Sequence, residues 1–281
     1  MSQKMALCPA SIEIMTEVIP PEQRAAIEAK LDEIEREENV QILMAIESGS
    51  RAWGFHSPDS DFDVRFIYAR PREWHYRLGK KRDVIERPIN DELDISGWEL
   101  GKALALVMNS NAVVAEWLQS PVVYRRNDQA VQALTDFAAQ ALDRKSVTWH
   151  YVSLFARQET RLSHPDGGIR FKRWFYMLRP AMALRWMRVN DTAMPPMNMA
   201  DLRAGCDLPD DIEQCLDDVI ARKMTVRETD RIDRVDARLD ALIREERDLA
   251  KTWLKTAKTS KSPELWDKAS DLHMTLSLSV F

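Results

Sequence analysis

Two aspartates, Asp61 and Asp63, stand two positions apart at the start of a segment, residues 62–68, that alternates as a β-strand does. Side chains at positions i and i+2 leave a strand on the same face, so both carboxylates point to one place. Crowded carboxylates repel each other unless a cation lies between them, and Mg²⁺ favours one or two carboxylates together with substrate phosphates. The spacing therefore predicts a divalent-metal site that takes a phosphate-bearing substrate.

A Gly-Ser pair, Gly49 and Ser50, precedes these aspartates and follows a short apolar, β-branched run at residues 40–46. That run has the length and composition of a buried strand. A small, conformationally free pair at the end of such a strand lets the backbone turn sharply and direct N–H groups and a hydroxyl at an anion. We therefore expect Gly49 and Ser50 to contact a phosphate, with a short helix over residues 51–55 next to it.

The order of these features resembles the signature of the nucleotidyltransferase superfamily, the DNA-polymerase-β-like fold: a strand, Gly-Ser, a short helix, then Asp-x-Asp on the next strand. Gly49, Ser50, Asp61 and Asp63 occupy the signature positions. Within the superfamily the chain most resembles the bacterial predicted nucleotidyltransferases of the YcgL/RlaP type, which are linked to RNA repair. The likeness covers roughly residues 40–190, through the runs DELDISGWELGKAL, NSNAVVAEWLQSPVVY and KRWFYMLRPAMALRW.

This chain departs from the group at Ala112, where the resemblance leads us to expect a proline after Asn111. The position lies at the start of a predicted helix. The difference therefore concerns how that helix begins and not the chemistry of the carboxylates.

The resemblance implies a third carboxylate and two bound metal ions, Mg²⁺ or alternatively Mn²⁺, held by the Asp-x-Asp pair and the third acid. It places that acid at Asp94, on a strand predicted over residues 92–96. In that strand Leu93 and Ile95 would face the core, so Asp94 would face the site. The spacing leaves Asp91 and Glu92 open as competing candidates.

Arg65 lies two positions beyond Asp63 and therefore shares its strand face. Two interpretations follow from the residues alone. Arg65 is either a counter-ion for the carboxylates or a nucleotide-binding group that offsets charge developing in the transition state.

A stretch without acidic residues, 167–190, combines aromatic side chains with six positive charges. Lys172, Tyr176 and Arg179 share one side of the predicted helix, where they are expected to contact the triphosphate and base of a nucleotide. The alternative is a helix whose aromatics belong to the core and whose arginines pair with neighbouring acidic helices. His150, on the preceding helix, is a cleft candidate, although a lone histidine is more often structural. The six basic residues are Arg170, Lys172, Arg173, Arg179, Arg185 and Arg188.

The pattern of elements and the resemblance together predict an α+β fold. We expect a small mixed β-sheet nucleotidyltransferase (palm-like) domain over residues 1–126 and an α-helical bundle domain over residues 127–281 that closes the nucleotide cleft. The first part adds strands at 83–89, 92–96 and 122–124 and helices at 22–38, 97–108 and 112–118. The second part shows helical patterns alone, at 128–142, 145–163, 171–189, 210–223, 229–256 and 263–276.

Composition sets wider limits. The 281 residues carry 40 basic and 45 acidic side chains, a formal charge of −5 that gives no overall argument for nucleic-acid binding. Cys8, Cys206 and Cys215 are odd in number and lack metal-ligand spacing, which indicates reduced thiols. No run of about 18 apolar residues and no signal-peptide pattern is present, so we expect a cytoplasmic protein.

The expected activity is transfer of a nucleoside monophosphate from an NTP to an acceptor hydroxyl, with release of pyrophosphate. The family link and the basic helix favour an RNA 3′-end as the acceptor, although a protein side chain or a small molecule would use the same site. The alternative class is a non-catalytic, antitoxin-like module that binds a nucleotide. A complete carboxylate set counts against it, because binding alone does not need all three acids.

Overall fold

The computed structural model describes residues 18–87, 93–227, 230–260 and 262–280. Within those ranges it contains one five-stranded sheet, one two-stranded sheet and the helices that pack around them. The α+β fold class predicted from the sequence is confirmed. The strands are β1 (Gln41–Glu47), β2 (Phe62–Ala69), β3 (Val84–Glu86), β4 (Leu93–Glu99), β5 (Val123–Arg126), β6 (Ile169–Arg170) and β7 (Arg231–Ile232).

Six of the helices lie around the larger sheet or follow it directly, and six more complete the second half of the chain. The first set is α1 (Pro21–Glu38), α2 (Gly49–Trp53), α3 (Arg72–Tyr76), α4 (Leu100–Met108), α5 (Ala112–Leu118) and α6 (Asp128–Ala141). The second set, again within the described residues, is α7 (Arg144–Glu159), α8 (Phe171–Asn190), α9 (Met199–Ala204), α10 (Asp210–Thr225), α11 (Ala237–Leu254) and α12 (Leu265–Ser279).

The larger sheet has the strand order β3-β4-β2-β1-β5 and is mixed. β2 and β4 run parallel, with Asp63 opposite Asp94, while the other neighbouring pairs are antiparallel. Parallel neighbours bring corresponding ends of two strands to the same edge of a sheet. This register therefore places the start of β2 beside the start of β4.

Hydrophobic side chains cover both faces of this sheet. On one face Ile27, Leu31 and Ile34 of α1 pack against a cluster from the strands. On the other, Leu43 and Ile67 belong to the large core formed with the helices. Coverage on both sides explains why β1 is a nearly continuous apolar run and not an alternating one.

The helix predicted over residues 97–108 begins later, because β4 continues to Glu99 and α4 starts at Leu100. Gly97 stays in the strand beside Phe66, where a Cβ atom would come within 2.2 Å of the ring. Glu99 then caps α4, as its Oε2 accepts hydrogen bonds from the N–H groups of Gly101 (2.7 Å) and Lys102 (3.3 Å). The apolar periodicity of residues 97–108 does not show that the first three of them belong to the strand.

The prediction of helices alone after residue 128 was wrong at one place, since β6 and β7 form a small antiparallel sheet. Ile232, which we expected in the helix over residues 229–256, is part of β7, and position 229 lies outside the described residues. α11 begins at Ala237, where the carboxylate of Asp236 accepts a hydrogen bond from Arg238 N at 2.8 Å. Leu239 of α11 is buried in the core of this chain.

One hydrophobic cluster extends from the sheet through α4, α5 and α6 into the helices of the second half. The last helix, α12, packs on both α4 and α6. The division into domains at residues 126 and 127 therefore stays a prediction, because apolar packing continues across it. Within the described part of the chain, no helix is both long and apolar enough to span a membrane.

Candidate active site

The three predicted carboxylates meet at the edge of the sheet where β2 and β4 begin. Asp63 lies opposite Asp94 in the parallel register, and Asp61, directly before β2, is close enough to affect the pKa of Asp63. Burial raises the pKa of Asp63, and the negative charges of Asp94 and Asp61 add to that effect against the opposing charges of Arg65 and Lys172. Such crowding is the electrostatic condition under which a cation binds. The competing candidates at positions 91 and 92 lie outside the described residues.

Arg65 bridges two of these carboxylates. Its Nη2 donates to Asp94 Oδ2 at 2.7 Å and to Asp63 Oδ1 at 3.1 Å, while Nη1 donates to the Asp94 carbonyl at 2.9 Å. The structure thus shows the counter-ion arrangement, the first of the two interpretations drawn from the sequence. The guanidinium fixes the separation and orientation of both acids.

Gly49, the first residue of α2, lies against Asp63 of β2. Its φ is +61°, and a Cβ atom on it would come within 2.1 Å of Asp63 Oδ2. Beside it, the Ser48 N–H donates to the Asp63 carbonyl at 2.8 Å. The turn therefore needs glycine for two separate reasons, the left-handed backbone and the absence of a side chain at the carboxylate.

Ser50 is buried at the same turn, and its hydroxyl donates to Ser60 Oγ at 3.1 Å. Ser60 Oγ in turn accepts from Ser57 N at 2.9 Å, and the ammonium group of Lys223 donates to Ser57 Oγ. Sequence reasoning missed Lys223, which stands near the end of α10 inside an ordinary charged helix pattern. It joins the second half of the chain to the loop between α2 and β2.

The first turns of α8 reach the site through an aromatic cluster. Trp53 of α2 contacts Tyr176 edge-on, with ring centroids 5.1 Å apart, and Phe55 packs on Phe175 at 4.8 Å. This packing brings Lys172 close enough to lower the pKa of Asp63. Lys172 and Tyr176 thus lie near the carboxylates, and their contact with a nucleotide stays a prediction.

Arg179, in contrast to Lys172 and Tyr176, has its side chain buried inside the protein. It is 2% exposed, its Nη1 donates to Glu116 at 2.8 Å, and its Nε and Nη2 donate to the Met197 carbonyl at 3.2 and 3.1 Å. Its guanidinium also lies over the Trp53 ring, 4.8 Å from the centroid. The predicted direct contact with a nucleotide is therefore corrected: the donors of Arg179 point into the protein, and it supports the site through Trp53.

The C-terminal part of α8 follows the alternative interpretation from the sequence. Arg185 and Arg188 both pair with the buried Glu246 of α11, at 2.9 and 2.6 Å. Most aromatic residues of the helix, such as Trp174, belong to the core. Only its first turns thus remain available to face a substrate.

His150 lines a separate cavity of about 400 Å³ between α7 and the turn that joins α4 to α5. The aspartates and the Gly-Ser turn do not line it. Burial lowers the pKa of His150, which keeps its imidazole neutral at pH 7. The structure does not join His150 to the carboxylate site.

Glu47, the last residue of β1, is fully buried behind the carboxylates. Tyr124 donates to its Oε2 at 2.6 Å and Asp63 N donates to its Oε1 at 2.9 Å. Burial raises the pKa of Glu47 to about 7, despite the opposing effect of these hydrogen bonds. Sequence reasoning did not single it out, because a lone glutamate at a strand end carries no motif.

The raised pKa of Glu47 predicts a loss of stability as the pH rises from about 4.5 to about 7. In that range the unfolded carboxyl has ionised while the folded one keeps its proton, so the folded state binds more protons. The free energy of unfolding should fall by roughly 3 kcal/mol, the whole of it by slightly above pH 7. Urea denaturation at a series of pH values would show the decrease in the parent and its absence in Glu47→Gln. Equal decreases in both proteins would contradict the assignment.

This sheet, with a Gly-Ser turn packed on an Asp-x-Asp strand, defines a protein of the DNA-polymerase-β-like nucleotidyltransferase class. The comparisons with known proteins agree. A family model described as RlaP, RNA repair pathway DNA polymerase beta family, matches residues 23–275. The uncharacterized protein YcgL of Bacillus subtilis (strain 168) is 38% identical over 213 residues, which are 76% of this chain and 80% of that protein. The chain belongs to the RNA repair pathway DNA polymerase beta family, and the resemblance seen in its sequence is confirmed.

Proposed function

We propose that this protein is a metal-dependent nucleotidyltransferase that moves a nucleoside monophosphate from an NTP to the 3′-hydroxyl of an RNA. The observation that carries the proposal is the register of β2 and β4, which sets Asp63 beside Asp94. Gly49 then packs against the same carboxylate from the turn that we assign to the phosphates. The proposed metal ligands and the proposed phosphate-binding turn therefore lie next to each other.

The residues fit a divalent metal by the chemistry of their donor atoms. Asp61, Asp63 and Asp94 offer carboxylate oxygens, the donors that Mg²⁺ and Mn²⁺ prefer. Their mutual repulsion raises the pKa of Asp63, after burial as the main cause, and Gly49 keeps the space beside its Oδ2 clear of a side chain. When bound there, two ions would neutralise charge on the triphosphate and lower the pKa of the attacking hydroxyl.

The chain's own residues position the substrates. The Gly49–Ser50 turn would present backbone N–H groups to the β- and γ-phosphates. Lys172 would approach the triphosphate from α8, and Tyr176, braced by Trp53, would support the base. Arg65 holds Asp63 and Asp94 in their relative orientation before substrate arrives.

In the reaction the acceptor oxygen forms a bond to the α-phosphorus while the bond from that phosphorus to the bridging oxygen breaks. Pyrophosphate leaves, and the hydroxyl proton passes to the carboxylate of Asp94. The roles agree with phosphoryl-type transfer, in which positioning and charge stabilisation supply most of the catalysis.

RNA is the acceptor that we favour, because the description of the family names an RNA repair pathway. The charge of −5 offers no general attraction for a polyanion, so the acceptor would bind through local contacts near the site. Transfer to a protein side chain and nucleotide binding without catalysis are the alternatives that the experiment must separate.

The test is incubation of the pure protein with Mg²⁺, each α-labelled NTP in turn and a mixed RNA pool. Asp61→Asn/Asp63→Asn removes the proposed metal ligands at little cost in volume. Asp83→Asn is the matched control, an aspartate paired with Lys102 at the exposed edge of the same sheet. We expect label on RNA with the parent and the control, and none with the double variant.

Other outcomes separate the alternatives. Label on a polypeptide would replace the RNA acceptor by a protein side chain. Nucleotide binding without any transfer, unchanged in the double variant, would overturn both the metal site and the proposed activity. Periodate oxidation of the RNA 3′-end should abolish labelling if the 3′-hydroxyl is the acceptor.

A further inference from the structure

A second cluster of ligand-type side chains lies at the opposite end of the β2 and β4 pair from the aspartates. It consists of His75 in α3, Glu99 at the end of β4 and His273 in α12, and one donor atom from each lies within 4.8 Å of the others. Tyr68 is opposite Glu99 in the register that sets Asp63 opposite Asp94. Five residues of strand separate the two places, roughly 16 Å.

Glu99 is fixed and oriented by its role as the cap of α4. Its Oε2 accepts the two backbone hydrogen bonds at the start of that helix, which leaves Oε1 directed toward His273 Nε2 at 3.4 Å. The residue is 4% exposed. A buried carboxylate that already has one oxygen anchored is a preorganised ligand through the other.

His75 contributes an imidazole nitrogen to the cluster. Its Nε2 is buried and has no hydrogen-bond partner among the residues that the structure describes. Burial lowers the pKa of the ring, while Glu99 and a hydrogen bond with the Arg70 backbone oppose that effect. An unpartnered Nε2 on a neutral imidazole can offer its lone pair to a metal ion.

His273 completes the arrangement from the last helix. Its ring stands nearly perpendicular to that of His75, at 87° with centroids 5.1 Å apart, so the imidazoles approach one point from different directions. Gly101 leaves room for it, because a Cβ atom there would come within 3.3 Å of His273 Nε2. The three ligands therefore come from three elements that are distant in sequence.

We infer that His75, Glu99 and His273 form a Zn²⁺ site that ties α12 to the sheet. Two imidazoles and one carboxylate suit a borderline metal such as Zn²⁺ and not Mg²⁺, which binds oxygen ligands. Tetrahedral coordination needs donors about 3.3 Å apart, so donor atoms that lie up to 4.8 Å apart must approach by up to about 1.5 Å, and water takes the fourth position. The site is independent of the proposed nucleotidyl transfer.

The functional consequence concerns the C-terminal helix. α12 packs on α4, which begins directly after Glu99, and on α6. A metal that joins His273 to Glu99 and His75 would stabilise this docking by binding the folded state alone. Loss of Zn²⁺ would loosen α12 while the carboxylate site, at the other end of the strands, stays assembled.

The experiment titrates Zn²⁺ into the full chain after removal of metals, in competition with a chromophoric chelator. The Asp61→Asn/Asp63→Asn background prevents the carboxylate site from contributing. We expect one Zn²⁺ per chain, a rise in Tm on binding, and visible absorption typical of tetrahedral Co²⁺ when cobalt replaces zinc. His273→Gln should weaken binding by at least about 100-fold, since even residues behind the ligands contribute 10- to 100-fold.

Two further variants keep the test decisive. His75→Gln, on a short helix, should weaken Zn²⁺ binding similarly even if His273→Gln unfolds the chain. His164→Gln is the matched control, a partly exposed histidine whose nearest acid is Asp166. The inference is overturned if the background protein binds no Zn²⁺, or if His75→Gln and His164→Gln titrate like their parent.

Discussion

Gly49→Ala is expected to reduce nucleotidyl transfer by at least about 100-fold, the scale on which a misplacement of about 1 Å acts in an active site. The added methyl group would lie 2.1 Å from Asp63 Oδ2, so the carboxylate or the turn must move. Either movement changes the distance between Asp63 and the backbone that we propose binds the phosphates. A single added methyl group at position 49 would thus disturb the contact between the Gly-Ser turn and Asp63.

The same substitution also strains the backbone, since φ at this residue is +61°. An L-residue in the left-handed region costs roughly 1–2 kcal/mol. Because the free energy of unfolding of a typical domain is larger than this strain, the variant should remain folded at 25 °C. The loss of activity would then come from geometry and not from unfolding.

Gly54→Ala is the control that separates strain from collision. Gly54 ends α2 with φ at +85°, yet a Cβ atom on it meets nothing within 4 Å. We expect a similar loss of unfolding free energy in both variants, measured by urea denaturation, and near-parental steady-state kinetics for Gly54→Ala alone. Equal kinetic losses in the two variants would mean that backbone strain, not the contact with Asp63, disables the enzyme.

The contrast between these glycines shows which features of the site the sequence predicts and which it does not. The Gly-Ser pair, the Asp-x-Asp spacing and the strands on either side are local patterns, and the structure has β1 and β2 within one residue of the predicted ends. The pairing of Asp94 with Asp63 needed the resemblance, because parallel strand order is not written in local periodicity. The conflict between a Cβ atom at Gly49 and Asp63 depends on the three-dimensional fold, so the sequence could not reveal it.

Long-range polar partners were the part that sequence patterns could not supply. Lys223 reaches Ser57 across 166 positions, and Glu116 pairs with Arg179 across 63. A helical charge pattern looks the same whether its members face solvent or a buried acid. For that reason Lys172 and Arg179, seven residues apart on α8, were assigned one role, whereas the structure gives them different surroundings.

Arg179→Met is therefore expected to reduce the free energy of unfolding by about 3–5 kcal/mol, the range for breaking a buried ion pair from one side. The substitution would leave the carboxylate of Glu116, 8% exposed, with Tyr151 as its remaining partner at 2.7 Å. It would also leave the Met197 carbonyl without its donors and remove the cation above Trp53. Chemical denaturation at 25 °C measures the change.

Lys172→Met on the same helix should have the opposite pattern of effects, with little change in stability and a large loss of nucleotidyl transfer. Its ammonium group acts on Asp63 from a partly exposed position, so its loss should change stability by less than about 1 kcal/mol. If Lys172 binds the triphosphate, transfer should fall by about 100-fold, the lower range for removing one group that stabilises a developing charge. Arg179→Met, assayed under conditions where it is folded, should keep activity within about tenfold of the parent.

The double variant Glu116→Leu/Arg179→Met identifies the cause of the Arg179 effect. Replacing both charges by apolar groups of similar volume removes the unpaired carboxylate, and such exchanges are often neutral or stabilising. We therefore expect the double variant to recover most of the stability that Arg179→Met loses. If stability is not recovered, the cost lies in the Met197 carbonyl or the packing over Trp53. If instead Arg179→Met is stable and inactive, then Arg179 contacts the nucleotide after all, which would require α8 to reorganise when substrate binds.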